Sequence, residues 1–210
     1  MSLNQKVLAL KNSKVKELVG NRLKEFSEKN KKSNEDWYSE LCFCILTANS
    51  RAKTAINIQN ELGYKGFFEK NQQELEKIIS KNKHRFSSMK SRYLIKAREH
   101  KNLQLKINEL ISKGQEQVRN HLAENILGIG LKEASHFLRN IGFFELAILD
   151  RHILALLKAH GYINEVPKTL TKKEYYRIEK IFQKIASELK MSPAELDLYM
   201  WYMRTGEVLK

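Results

Sequence analysis

Lys132 stands two positions after Gly130, in the run Leu127-Gly128-Ile129-Gly130-Leu131-Lys132 that falls between two helical patterns. Two glycines around one apolar residue allow a tight reversal with positive φ angles. Without side chains at Gly128 and Gly130, a phosphate can approach the main chain, whose N–H groups lie just ahead of a helix N-terminus. Such a turn suits gripping a nucleic-acid backbone without reading its bases. Ile129 is expected to point inward and pin the turn to the core. A lysine in the first turn of a helix is misplaced electrostatically, and the same field, helped by partial burial, favours its neutral form. A neutral amine is a nucleophile; the plainer alternative is a solvated phosphate contact. Asp150 follows the apolar run Ala147-Ile148-Leu149 and precedes Arg151-His152-Ile153. It suits the N-cap of the next helix, and a carboxylate emerging from an apolar segment into a cleft also steadies a developing positive charge.

The elements that must hold these groups read as helices from end to end. Only 2 prolines and 9 glycines occur in 210 residues, and Lys, Glu, Leu and Ile dominate. One amphipathic helix is expected over residues 3–29, then a polar loop to Asn34. Ser33 or Asn34 then caps a helix carrying Trp37, Leu41, Ile45 and Ala48. Ser50 is read as the cap of a helix stopping near Gly63. Asn71 with Glu74 forms a capping box, and a long basic helix covers residues 88–106. Residues 115–126 and 131–141 flank the glycine turn. Further helices run from Asp150 to near Gly161, from Thr171 (boxed with Glu174) to about Lys190, and on from Ser192-Pro193. No strand pattern is convincing. The expectation is an all-α fold of two helical lobes with a cleft.

Composition sets the partners. Lys plus Arg number 38 against 24 Asp plus Glu, a formal charge of +14. That balance favours a polyanion, nucleic acid ahead of an acidic membrane surface. A mean hydropathy of −0.52 and the lack of a long apolar run argue against a membrane span. No secretory signal is visible, so an intracellular protein is expected. Cys42 and Cys44 project about 200° apart on a helix and read as small apolar core residues. Two thiols cannot supply a four-cysteine cluster or a zinc site.

Leu127 to Ala134, Leu-Gly-Ile-Gly-Leu-Lys-Glu-Ala, together with Leu149-Asp150-Arg151-His152-Ile153, resembles the helix-hairpin-helix DNA glycosylase superfamily that includes endonuclease III. The interval from Lys132 to Asp150 matches that of the lysine-bearing members. One departure is Leu127, which occupies the usual proline position. Leu46-Thr47-Ala48-Asn49-Ser50 is similar to the superfamily segment that ends a helix and presents an amide side chain to DNA. The four-cysteine iron–sulfur motif of endonuclease III is missing. The chain ends instead in Asp197-Leu198-Tyr199-Met200-Trp201-Tyr202-Met203-Arg204-Thr205-Gly206-Glu207-Val208-Leu209-Lys210, which resembles the end of the type-2 8-oxoguanine DNA glycosylase/AP lyase family of short archaeal and bacterial proteins.

That resemblance spans residues 1–210 and implies a single two-lobed helix-hairpin-helix domain with a DNA-binding cleft. It implies Lys132 as nucleophile with Asp150 as its partner carboxylate, and DNA contacts from Asn49, Gly128, Ile129, Gly130, Arg151 and His152. Lys210, Trp201 and Asp197 are implied in recognition of the damaged base. The chemistry is attack at the sugar C1′, a Schiff base and β-elimination, without metal or other cofactor. The implied partner is double-stranded DNA containing oxidised guanine, bound by a monomer in the prokaryotic cytoplasm at the nucleoid, away from membranes. Two rivals remain: a non-enzymatic helix-hairpin-helix DNA-binding module, and a glycosylase/lyase for oxidised pyrimidines.

Overall fold

The computed structural model describes every residue, Met1–Lys210. Twelve α-helices carry the regular structure, and there is no strand. They are α1 (Leu3–Lys11), α2 (Val15–Asn30), α3 (Asn34–Thr47), α4 (Ala52–Glu69), α5 (Gln72–Lys81) and α6 (Ser87–Ala97). Then follow α7 (Leu103–Leu110), α8 (Gln115–Asn125), α9 (Leu131–Asn140), α10 (Arg151–Ala159), α11 (Lys172–Glu188) and α12 (Pro193–Thr205). The chain forms two compact units: residues 29–141, and residues 1–28 with 142–210.

In the 29–141 unit, α3 is the core. Trp37, Tyr38 and all of residues 40–47 are buried, so this helix is apolar nearly all round and must be enclosed. Helices α4, α6, α7 and α9 pack on it, and each large side chain so buried contributes about 1.5–3 kcal/mol. Cys42 and Cys44 lie fully inside this core, in no disulfide. The buried Glu40 carboxylate accepts hydrogen bonds from Lys29 Nζ (2.8 Å), Gln59 Nε2 (3.0 Å) and Asn140 Nδ2 (3.0 Å). A carboxylate removed from water needs such partners, and here they tie α3 to α4 and to the end of α9.

In the other unit, α12 packs against α1, α10 and α11, burying Leu196, Leu198, Tyr199 and Met200, while Met203 is partly exposed. The apolar run before α10 is held by α11 side chains. The Ala147 N–H donates to Glu179 Oε1 (3.0 Å), and the Ala147 carbonyl accepts from the Tyr175 hydroxyl (2.7 Å). Asp150 therefore leaves a segment whose path is fixed on both sides of Ala147.

Several element boundaries differ from the sequence expectation. The first helix is two, broken at Asn12–Lys14, where Ser13 Oγ donates to the Leu10 carbonyl and accepts from the Val15 N–H. Ser50 does not cap α4. Arg51 holds that position without a side-chain bond, and Gly63 (φ 55°, ψ −172°) kinks the helix instead of ending it. The basic helix expected over 88–106 splits into α6 and α7. Its Arg98 turns away to donate to the carbonyls of Phe67 and Lys70, closing the end of α4. The capping box at Asn71 and Glu74 forms, whereas Thr171 only accepts from the Glu174 N–H.

Candidate active site

The glycine turn joins α8 to α9. Gly128 has φ 88°, a conformation that costs glycine little and other residues much. A side chain there is excluded twice over, because a Cβ would stand 2.4 Å from Tyr93 Cδ2. Ile129 is buried and anchors the turn. Gly130 departs from the expectation of two positive-φ glycines. It is the N-cap of α9 in extended backbone (φ −101°, ψ −173°), a geometry open to any residue. The turn thus needs one left-handed residue, and Gly130 serves by leaving space.

Lys132 occupies the first turn of α9, as expected. Its surroundings add two residues that the sequence reading did not weigh. Glu133, three positions after the N-cap, brings its carboxylate back over the start of the helix, where negative charge is favoured. Glu133 Oε1 lies 3.0 Å from Lys132 Nζ, and Oε2 would be 3.3 Å from a Cβ on Gly130. An acid in the third position after a cap glycine is a visible sequence signal. Lys90 is not. It is buried, donates from Nζ to the Ile45 carbonyl at 2.6 Å, and lies 5.8 Å from the Tyr93 ring centroid. Burial lowers its pKa to about 8; Glu133 raises it and Lys132 lowers it further.

Asn49 is in the same unit, exposed, just beyond the end of α3, with φ 61°. Asparagine tolerates this left-handed conformation better than most residues. Its carbonyl accepts from Arg85 Nη2 at 3.4 Å, and the neighbouring His84 Nε2 lies 2.9 Å from the Leu46 carbonyl. The end of α3 is therefore clasped by the 84–85 segment, which presents the Asn49 side chain at a fixed corner.

The remaining candidates belong to the other unit. Asp150 caps α10, its Oδ1 accepting from the N–H groups of His152 (2.9 Å) and Ile153 (2.8 Å). Both bonds use one oxygen, so Oδ2 is uncommitted to the cap. Arg151 Nε approaches His152 Nε2 at 3.4 Å, and the His152 ring meets Trp201 edge-on, 5.1 Å between centroids. Arg151, His152 and Trp201 thus form one cluster at the start of α10. Trp201 Nε1 is buried without a hydrogen-bond partner, a donor left for something else to satisfy. Asp197 is buried one turn earlier on α12. Past α12, Gly206 (φ 72°) turns the chain, and the last four residues run to the partly exposed Lys210. Arg22 of α2 donates from Nη2 to the Val208 carbonyl at 3.3 Å.

A glycine turn that joins two helices, here α8 and α9, is the helix-hairpin-helix arrangement of a class of DNA-binding proteins. The family model described as 8-oxoguanine DNA glycosylase matches residues 19–191. The 8-oxoguanine DNA glycosylase/AP lyase of Methanocaldococcus jannaschii is 46% identical over 210 residues, covering all of both chains. That of Thermoplasma volcanium is 40% identical over 211 residues, again covering both chains completely. A crystal structure of the M. jannaschii 8-oxoguanine glycosylase/lyase with a 15mer DNA containing 8-oxoguanine superposes with a TM-score of 0.96, 45% identity and 99% coverage of each chain. The chain belongs to the 8-oxoguanine DNA glycosylase family.

Proposed function

We propose that this protein is a bifunctional DNA glycosylase and AP lyase that removes 8-oxoguanine from duplex DNA and then cuts the strand. The observation that carries the reading is Lys132 in the first turn of α9, directly behind the Gly128–Gly130 turn. It stands in a chain that aligns end to end with relatives named for that activity.

A base stacked in a duplex is out of reach, so the damaged nucleotide is turned out of the helix. The glycine turn holds the backbone, Arg151 and His152 contact DNA, and Asn49 fills the gap. Lys210, Trp201 and Asp197 recognise the extruded base, with the unpartnered Trp201 Nε1 offering a hydrogen bond. Lys132 Nζ, after giving a proton to the Glu133 carboxylate 3.0 Å away, attacks C1′ with its lone pair. The C1′–N9 bond breaks, and the base leaves with its electron pair and gains a proton. Asp150 stabilises the positive charge that develops on the sugar and assists proton movements. The sugar ring then opens to a protonated Schiff base, which acidifies the C2′ hydrogen. Loss of that proton expels the 3′ phosphate oxygen by β-elimination. The protein acts as a monomer on double-stranded DNA, without membrane contact, at the nucleoid in the prokaryotic cytoplasm.

Borohydride reduction during turnover tests the covalent step. The wild-type chain is expected to become trapped on an 8-oxoguanine duplex. Lys132→Gln is expected to give neither adduct nor cleavage while still binding the duplex. Cleavage by Lys132→Gln would sink the assignment of the nucleophile, and preference for an oxidised pyrimidine across a lesion panel would sink the assignment of the base.

A further inference from the structure

The final five residues follow a helix that has ended. Gly206 breaks α12 by entering the left-handed region, and the chain then continues without regular structure to Lys210. Short tails of this kind are poorly ordered unless something ties them down. Hydrogen bonds do so here. Thr205 Oγ1 lies 2.9 Å from the Trp201 carbonyl and 3.2 Å from the Glu207 carbonyl. The Glu207 N–H donates back to Thr205 Oγ1 at 3.3 Å. These three are local and fix only the turn. A fourth is long-range in sequence: Arg22 Nη2 reaches the Val208 carbonyl, two residues before the end.

Arg22 is itself held. Its Nη1 pairs with Glu25 one turn on along α2, and its Nε is buried with no partner. An arginine serving only a surface pair with Glu25 would leave its planar head in water. This one instead sets its head partly out of solvent against the tail, with one side on Glu25 and the other on a main-chain oxygen. The guanidinium is a rigid fork, so orienting one nitrogen orients the others. Glu25 therefore aims Arg22, and Arg22 fixes Val208.

We infer that Arg22 is a positioning residue for lesion recognition: by clasping the Val208 carbonyl it sets the reach and direction of Lys210. The inference rests on the reading of Lys210 as a base-recognition residue. A freely swinging tail would place the Lys210 amine at the base only for a fraction of the time, and apparent recognition falls in proportion to that fraction.

Single-turnover excision of 8-oxoguanine and cleavage of a preformed AP site, measured on the same duplex sequence, separate the possibilities. Arg22→Ala is expected to slow excision about tenfold, in the manner of a lost transition-state contact, with AP-site cleavage within about twofold of wild type. Arg22→Lys keeps the charge but not the fork, and is expected to fall between the two. In a chain lacking Lys210, Arg22→Ala is expected to add no further loss, because residues acting as one unit are not additive. Thermal unfolding within a few degrees of wild type accompanies these results; if Arg22→Ala is unstable, Arg22→Lys and the Lys210 deletion complete the comparison.

Two results overturn the inference alone: normal excision by Arg22→Ala when deletion of Lys210 slows it, or losses from the two changes that simply add. A third is separate. If deletion of Lys210 alters excision and AP-site cleavage equally, the reading of Lys210 itself fails and the inference falls with it.

Discussion

Lys90 keeps an ammonium group at 2% exposure with a main-chain carbonyl as its hydrogen-bond acceptor. Burial, the larger influence, brings its pKa from 10.5 down to about 8. The unfolded chain therefore holds this proton to higher pH than the folded one. Below about pH 8 the fold bears the full cost of the buried charge. Between about 8 and 10.5 that cost is relieved, so stability from this group rises with pH. Lys90→Met removes the titration. Its stability relative to wild type is expected to be greatest near pH 7 and to shrink towards pH 10.5; urea unfolding at the two ends of that range measures it. At Asp150 two roles can be parted. Asparagine caps helices about as well as aspartate, so Asp150→Asn is expected to melt near wild type while borohydride trapping falls about a hundredfold, within the usual range for one electrostatic group. Asp150→Ala is expected to lose the cap as well, costing about 1 kcal/mol by thermal denaturation. The placement of Lys132 and Asp150 at helix starts was legible because helix-end signals are local: a glycine before one, an apolar run before the other. Lys90 was not, because its burial depends on how α6 lies on α3.

At the scale of elements, capping chemistry was readable except at Ser50, whose place is taken by Arg51, and interruption was not. Ser33, Asn71, Thr171 and Ser192 all cap the helices assigned to them. The expected helix over 88–106 failed because Arg98 serves α4, some thirty residues earlier, and no pattern within the segment reports that. Gly63 was misread for a related reason. A glycine signals a stop, but buried Leu62 and Phe67 on either side keep the chain in register with the core. The glycine turn was found, although the demand on its two glycines is unequal. Gly128→Ala must enter a left-handed conformation and displace the Tyr93 ring. It is expected to destabilise by about 1–3 kcal/mol and to weaken DNA binding. Gly130→Ala meets only the end of the Glu133 side chain, and its loss of stability is expected to be smaller. Chemical denaturation and duplex binding of the two variants, measured side by side, check the order.

For the molecule as a whole, helical class and positive charge were plain from composition, whereas the grouping of the ends was not. Residues 1–28 join residues 142–210 in one compact unit, and α1 meets α12 through contacts that no local window contains. The net charge of +14 carries its own prediction. Duplex affinity is expected to fall steeply with salt, by about a thousandfold between about 50 and 200 mM if some six phosphates are neutralised. A flat salt response in an equilibrium binding titration would remove the electrostatic grip from the account. The two thiols in the core of α3 have a further consequence. Burial pushes the pKa of the Cys42 thiol up, away from its thiolate, and it is the thiolate that attacks peroxides. The chain thereby keeps both of its thiols from such oxidants: Ellman's reagent should find no reactive thiol until the chain is unfolded.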